Sequence, residues 1–150
     1  MTRTLAIGDI HGGLKSLKQV LKRANVTAED TLIFLGDYVD GWSESAETVS
    51  YLINLAQKQN CIFIKGNHDE LTYNWLKEND LNEVWLNHGG RSTIESYNKL
   101  TEEDRKAHVT FYEDLLNYHI DDQNRMFVHA GFQNHNGPEH EHHSTAFYWD

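Results

Sequence analysis

The chain has 150 residues, of which 39% are hydrophobic and 24% charged, a balance that suits a globular protein and excludes a disordered one. Its formal net charge of −10 argues against a general nucleic-acid or anionic-membrane binder, because such proteins need clustered Lys and Arg. Since the composition does not break anywhere, we expect a single domain over residues 1–150.

The cellular setting is predicted from three absences in the sequence. No apolar run approaches the length of a membrane span. The stretch from Met1 to Thr4 leads directly into the first predicted strand, so we expect no signal peptide. The single cysteine, Cys61, cannot form an internal disulfide and is expected to be a small buried hydrophobe. Together these features predict a cytoplasmic protein.

The first 65 residues predict an alternation of strands and helices. Apolar runs and helical spacing place a strand at Thr4–Ile7, a helix from Leu14 to Ala24, a strand at 31–35, a helix from Ser45 to Lys58 and a strand from Cys61 to Lys65. This β-α-β-α-β order predicts parallel strand pairing.

The remaining residues predict helices and then a hairpin. The chain turns helical after Asp69, and Thr101 begins a capping box ahead of a helix that reaches about Asn117. The stretches 118–121 and 125–128 flank a polar turn, which indicates a β-hairpin.

Four short polar strings follow apolar runs, and they carry the chemistry. They are Gly8-Asp9-Ile10-His11-Gly12, Gly36-Asp37-Tyr38-Val39-Asp40-Gly41, Gly66-Asn67-His68-Asp69 and Val128-His129-Ala130-Gly131. An α/β sheet presents its chemistry where strands end in loops. Side chains of Asp, Asn and His gathered there can hold two divalent metal ions.

The spacing within the strings suggests individual ligand roles. Asp9 and His11 are two residues apart, so both reach one ion, and Asp37 can place one oxygen on each of two ions. Asn67 offers a carbonyl oxygen and His129 an imidazole nitrogen. Mixed nitrogen and oxygen ligands favour Mn, Fe or Zn, of which we favour Mn. A hydroxide shared by the two ions would attack phosphorus in line.

His68 and Asp40 are candidates for an acid dyad. His68 follows Asn67 directly, so it lies beside the metals without having to bind one, and it can protonate the leaving oxygen. Asp40 can accept the other imidazole proton and keep His68 cationic and oriented.

In this order, the four strings resemble the signature blocks of the calcineurin-like metallophosphoesterase superfamily. Gly36–Asp40, Val128–Gly131 and the stretch from Trp85 to Gly90 are most similar to its bacterial phosphoprotein (Ser/Thr) phosphatase branch. The resemblance implies an α/β (α+β) fold, a four-layer αββα sandwich around two metals. It also implies the same roles for the residues named above: metal ligands Asp9, His11, Asp37, Asn67 and His129, and acid dyad His68 and Asp40.

The sequence departs from the family pattern in two places. Where phosphoprotein phosphatases have Arg-Gly after the second block, this chain has Gly41 and Trp42, so Asn67 and Arg91 become the candidates for phosphate binding. The family's later Gly-His block is missing, because no Gly-His pair occurs in the chain. We therefore expect a C-terminally truncated domain without its last strands, and an incomplete sheet of that kind can form a homodimer.

Four further histidines stay open as contributors to the site. His140, His142 and His143 follow the last block within a polar segment, and His88 lies in a Gly-rich loop that can border the site. Each has an ordinary alternative, a polar loop for the first three and a loop-stabilising hydrogen bond for His88.

These features predict a metal-dependent phosphomonoester hydrolase, with a protein serine/threonine phosphatase as the leading interpretation. Its partner would be a phosphorylated protein or a small phosphoester. Diadenosine-tetraphosphate hydrolases share these blocks, although their second block does not read Tyr-Val-Asp, and they are the second interpretation. The third is a metal- or phosphate-binding module with little turnover, because the last metal ligand is absent.

Overall fold

A computed structural model describes residues 2–149 of the chain; Met1 and Asp150 lie outside that range. The strands and helices are β1 (Thr4–Ile7), α1 (Leu14–Arg23), β2 (Thr31–Phe34), α2 (Ser45–Ala56), β3 (Asn60–Phe63), α3 (Asn67–Glu78), α4 (Glu83–Trp85), α5 (Arg91–Tyr97), α6 (Glu102–Glu113), β4 (Tyr118–Ile120) and β5 (Met126–Val128). A wide turn at Leu86–Gly90 joins α4 to α5.

The first three strands form a parallel sheet in the order β1-β2-β3, which confirms the predicted parallel β-α-β-α-β arrangement. The central strand is covered on both faces, since Leu32, Ile33 and Phe34 are all buried. A strand buried in this way needs a continuous apolar run rather than alternation, and β2 has one. The sheet therefore has a rigid centre from which the loop after β2 emerges.

Helices cover the sheet through apolar faces. Leu17 and Leu21 of α1 are buried, whereas its lysines lie on the solvent side. Phe34 of β2 stacks on Phe63 of β3 at a ring distance of 5.2 Å, and the ring of Phe63 contacts that of Phe111 of α6 at 5.1 Å. This aromatic cluster fixes α6 against the sheet.

The last two strands form the predicted antiparallel hairpin, with Tyr118 opposite Val128. Helix α6 ends at Glu113 rather than near Asn117, because Leu116 leaves the helix and pairs alongside β3. Its N–H donates to the carbonyl of Phe63 at 3.0 Å, and its own carbonyl accepts from Lys65 at 2.8 Å. Hydrogen bonds to the sheet thus override the helical pattern.

The mixed helix-and-sheet architecture confirms the predicted α/β (α+β) fold class. No helix in residues 2–149 combines the length and the apolar character needed to cross a bilayer. Cys61 is half-buried in β3 rather than fully buried, and its burial raises the pKa of the thiol to about 11.

Candidate metal centre

The loops after β1 and β2 are tied together by their backbones. The N–H groups of Ile10 and His11 both donate to the carbonyl of Asp37, at 3.0 and 2.9 Å. Gly12 donates to the carbonyl of Tyr38 at 2.8 Å. Because these bonds involve the main chain, the positions of the first two polar strings are fixed relative to each other.

Asp69 ties the loop after β3 to the same unit. Its buried carboxylate accepts backbone N–H groups from Asp37 at 2.7 Å, Tyr38 at 3.0 Å and Gly66 at 2.8 Å. Burial, followed by the charge of Asp37, raises the pKa of the Asp69 carboxyl, and the three donors oppose that rise. The sequence analysis gave Asp69 no role, although an acidic residue at the third position of a helix is a recognisable capping signal.

The carboxylate of Asp37 lies at the centre of the cluster. Its Oδ1 accepts the backbone N–H of His68 at 3.1 Å, which orients the group. Its Oδ2 lies 3.7 Å from Nε2 of His11 and 3.5 Å from Nε2 of His129. The free oxygen thus faces two imidazoles from different parts of the chain.

Both imidazoles are held so that a lone pair points into the cluster. Nδ1 of His11 donates to the carbonyl of Val39 at 3.0 Å, and Nδ1 of His129 donates to the carbonyl of Leu35 at 2.8 Å. Such bonds fix the tautomer and leave Nε2 unprotonated in the neutral ring, as is usual for metal-ligating histidines. The assignment of the proton to Nδ1 follows from these carbonyl partners.

The remaining oxygen donors complete a set that fits a divalent cation. Oδ1 of Asn67 lies 3.3 Å from Nε2 of His129, and Oδ2 of Asp9 lies 3.8 Å from Nε2 of His11. With Nε2 unprotonated, every one of these groups presents a lone pair to the others. Lone pairs converging in this way repel unless a cation lies among them, so the donor chemistry matches that of a metal site.

Two groups of three side chains in residues 2–149 have ligand atoms within 4.8 Å of one another, and both include Asp37. They are Asp9, Asp37 and His129 in one group, and His11, Asp37 and His68 in the other. The structure thus brings the predicted ligands together around Asp37. It also places His68 within ligand range, so the predicted division of the residues between two ions stays a prediction.

The backbone is strained where the cluster is built. His11, Asp37 and Asp40 adopt positive φ angles of 49°, 54° and 70°. Residues other than glycine rarely occupy this left-handed region, and such conformations persist only where surrounding bonds impose them. The inter-loop hydrogen bonds described above impose them at His11 and Asp37.

The predicted acid dyad is in contact. Nδ1 of His68 lies 2.6 Å from Oδ2 of Asp40, whose side chain is completely buried. Burial disfavours the charged imidazole, but the hydrogen bond to Asp40 and the charge of Asp37 outweigh it and raise the pKa of His68. The pair is therefore arranged to keep a proton on the imidazole, while its catalytic role stays a prediction.

Two residues that the sequence analysis did not assign to the site hold Asp40 in place. Nε1 of Trp85 donates to Oδ2 of Asp40 at 2.7 Å, and Oγ1 of Thr93 donates to Oδ1 at 2.5 Å. Trp85 is completely buried. No local spacing could reveal these contacts, because the partners lie 45 and 53 positions from Asp40.

Arg91 does not lie in the cleft beside the dyad. That cleft, of about 350 Å³, is lined by His11, Asp40, Gly41, Trp42, His68 and His88. Arg91 lines a different groove, with Leu86 and Ile94, and its role as a phosphate clamp stays a prediction.

Of the other four candidate histidines, all within residues 2–149, only His88 borders the cleft. Its Nδ1 also makes the loop-stabilising bond, 2.7 Å from the carbonyl of Val84. His140, His142 and His143 do not belong to any group within ligand range among residues 2–149. Glu141 organises their segment instead, by accepting the N–H groups of Gln133 and Asn134.

Carboxylate, amide and imidazole side chains that gather where parallel strands end form a candidate metal site. The family model of the calcineurin-like phosphoesterases matches residues 2–148, and the chain belongs to that family.

The chain is similar to nucleosyl-tetraphosphatases and to a protein phosphatase, among other proteins. The bis(5'-nucleosyl)-tetraphosphatase PrpE [asymmetrical] of Halalkalibacterium halodurans is 26% identical over 141 residues, which are 85% of this chain and 56% of that protein. The serine/threonine-protein phosphatase PP2A-like PPG1 of Candida albicans is 35% identical over 68 residues, which are 44% of this chain and 16% of that protein. The chain therefore spans little more than half the length of the relatives that it matches most extensively.

The fold is also found among solved structures. The crystal structure of a putative diadenosine tetraphosphatase superposes with a TM-score of 0.69 at 21% identity, covering 97% of this chain and 61% of that one. At this identity the likeness shows the shared fold.

Proposed function

We propose that this chain is a phosphoester hydrolase that uses two divalent metal ions. The observation that carries the proposal is the convergence of two oriented imidazole Nε2 atoms on the free oxygen of Asp37. Family membership supports the same chemistry.

The chain's own residues would divide the work. Asp9, His11, Asp37, Asn67 and His129 would hold two ions, for which we favour Mn. When bound, such ions neutralise phosphoryl charge and lower the pKa of water. Asn67 and Arg91 stay the predicted phosphate-binding residues, and of the two Arg91 lines a neighbouring groove.

His68 would act as the general acid. Its Nδ1 is engaged by Asp40, so Nε2 is the atom that would carry a proton to the leaving oxygen. A raised pKa keeps the imidazole protonated to higher pH than an ordinary histidine. Asp40 fixes the ring and compensates its charge, and the low exposure of the pair strengthens that interaction.

Turnover of p-nitrophenyl phosphate with and without Mn²⁺ tests the proposal. We expect Mn-dependent hydrolysis, abolished by Asp37→Asn and reduced roughly 100- to 10,000-fold by His68→Ala, the range of general acid–base catalysis. His135→Ala, an exposed loop histidine, is the matched control and is expected to leave the rate unchanged. A folded chain without turnover in Mn²⁺, Fe²⁺ or Zn²⁺ would contradict the proposal.

The natural substrate has two candidates. The sequence motifs favoured a phosphoprotein, and the short match to a PP2A-like phosphatase supports that choice. The match to a bis(5'-nucleosyl)-tetraphosphatase covers 85% of the chain, about twice the share that the phosphatase match covers. We therefore propose a nucleoside polyphosphate first and a phosphorylated protein second. Parallel assays of diadenosine tetraphosphate and a phosphoserine peptide separate them.

A binding module with little turnover is the remaining alternative. It predicts one tightly held metal ion per chain and no hydrolysis, because loss of a ligand or its support commonly costs about 10- to 100-fold in affinity. Elemental analysis of the purified chain, combined with the turnover assay, distinguishes this module from the enzyme.

A further inference from the structure

Trp42 is the most exposed of the large apolar side chains in the described part of the chain. Its relative exposure is 71%, and it lines the cleft that also contains His11, Asp40 and His68. Single apolar side chains at a surface are ordinary. Trp42 differs from such a side chain because its indole borders the proposed reaction site.

The backbone that carries this indole is fixed, although the ring is free. The N–H of Trp42 donates to the carbonyl of His11 at 2.9 Å, and the N–H of Glu44 donates to the carbonyl of Gly12 at 3.2 Å. The loop after β2 is thus tied to the loop that carries a predicted metal ligand. Because the backbone of this loop is already ordered, stacking a flat ligand on the ring costs no further ordering of the main chain.

The charges around the cleft also favour aromatic recognition. Its lining includes three histidines and Asp40 but no Lys or Arg. The proposed metal ions would bind the phosphate. The organic part of the substrate would then meet no Lys or Arg in the cleft. Trp42 also lines a neighbouring depression of about 310 Å³ together with Lys15, Ser16 and Glu44.

We propose that Trp42 stacks against the base of a nucleoside phosphate whose phosphate lies at the metal centre. This inference rests on the proposed function, because it takes phosphate capture by the metal site as given. It assigns base recognition to Trp42, which follows Gly41, the residue at the position of the arginine in the Arg-Gly of the phosphoprotein phosphatases. Stacking on an aromatic side chain gains enough free energy to change binding by roughly 5- to 150-fold per base.

Calorimetric titration of the Mn-loaded chain with AMP and with ribose 5-phosphate isolates the base. The two ligands carry the same phosphate on the same primary oxygen and differ in the base alone. We expect AMP to bind roughly 5- to 150-fold more tightly. Trp42→Ala is expected to bring the ratio close to one by weakening AMP alone, and Trp42→Phe to preserve part of it. Trp149→Ala, which removes an indole of 45% exposure outside the cleft lining, is the matched control and should retain the ratio.

The outcomes separate this inference from the proposed function. Equal binding of both ligands to the wild-type chain, or equal weakening of both by Trp42→Ala, overturns base stacking and leaves phosphate capture intact. Failure of both ligands to bind the Mn-loaded chain contradicts phosphate capture, and base stacking falls with it.

Discussion

At the scale of single residues, the orientation of one carboxylate depends on the absence of one methyl group. A Cβ built at Gly66 would lie 2.1 Å from Oδ1 of Asp37 and 2.4 Å from its backbone nitrogen. Since no side chain fits there, the glycine allows Asp37 to keep its free oxygen among the imidazoles. The glycine is thus part of the site although it offers no ligand.

Replacing this glycine tests the role of Asp37. We expect Gly66→Ala to displace the carboxylate and weaken Mn²⁺ binding by roughly 10- to 100-fold, measured by equilibrium dialysis with elemental analysis. Gly8→Ala is the matched control, because a Cβ at Gly8 meets nothing within 4 Å although the next residue is Asp9. Equal metal affinity of Gly66→Ala and the wild type would show that Asp37 does not organise the site.

The ligand-type residues of the site were within reach of sequence reasoning. Asp9, His11, Asp37 and Asn67 lie just after apolar runs, and the strand-to-loop rule brings such positions together without knowledge of packing. The contact between His68 and Asp40 was predicted on the same basis and is confirmed at 2.6 Å.

At the scale of elements, α5 contributes to the site by supporting Asp40. The turn that precedes α5 contains Gly89, where a Cβ would lie 2.5 Å from the nitrogen of Gly41 and 3.0 Å from Cβ of Asp40. This close approach brings Thr93 of α5 to the carboxylate of Asp40. Sequence reasoning missed the contact because it depends on how a distant helix packs.

A nearly isosteric substitution tests this support. We expect Thr93→Val to remove two hydrogen bonds, the one that Thr93 donates to the Asp40 carboxylate and the one that it accepts from the Asp40 backbone N–H. It should lower kcat roughly tenfold with unchanged Mn content, since loss of a supporting bond commonly costs 10- to 100-fold. Thr48→Val is the control, because Thr48 of α2 is equally buried and its hydroxyl donates to the carbonyl of Glu44, the residue just before that helix. A tenfold loss in both variants would indicate a general packing effect instead.

Helix α6 carries a buried histidine that links stability to pH. His108 is 2% exposed, with Nε2 2.9 Å from Oγ of Ser50 and Nδ1 2.9 Å from the hydroxyl of Tyr97. Burial lowers the pKa of His108 from 6.5 to about 4. The unfolded chain therefore takes up a proton between these values that the folded chain excludes, so this contribution is present above pH 6.5 and is lost as the pH falls toward 4.

Urea unfolding at pH 7 and pH 5 measures the effect. These pKa values give a loss of about 2 kcal/mol in the free energy of unfolding between the two pH values from this one group. In His108→Gln, we expect the pH-dependent loss to be smaller than in the wild type by about that amount. His135→Gln, at an exposed position, should behave as the wild type. An unchanged pH dependence in His108→Gln would show that His108 is not neutral in the folded chain.

At the scale of the whole molecule, the sequence predicted the order of elements better than their ends. The three parallel strands and the hairpin form as expected, because apolar runs and turn residues determine them locally. The end of α6 did not follow its pattern, since Leu116 pairs with the edge of the sheet. The single domain, the homodimer and the cytoplasmic location stay predictions.

The central claim is a two-ion centre arranged around Asp37. Counting the bound metal ions tests this claim most directly. Elemental analysis of the chain after equilibration with Mn²⁺ and removal of free metal should give two Mn per chain. We expect Asp37→Asn to lose metal, because the free oxygen of Asp37 faces both imidazoles. His135→Ala should retain both ions. No bound Mn in the folded wild-type chain, or the same two ions in Asp37→Asn, would contradict the account.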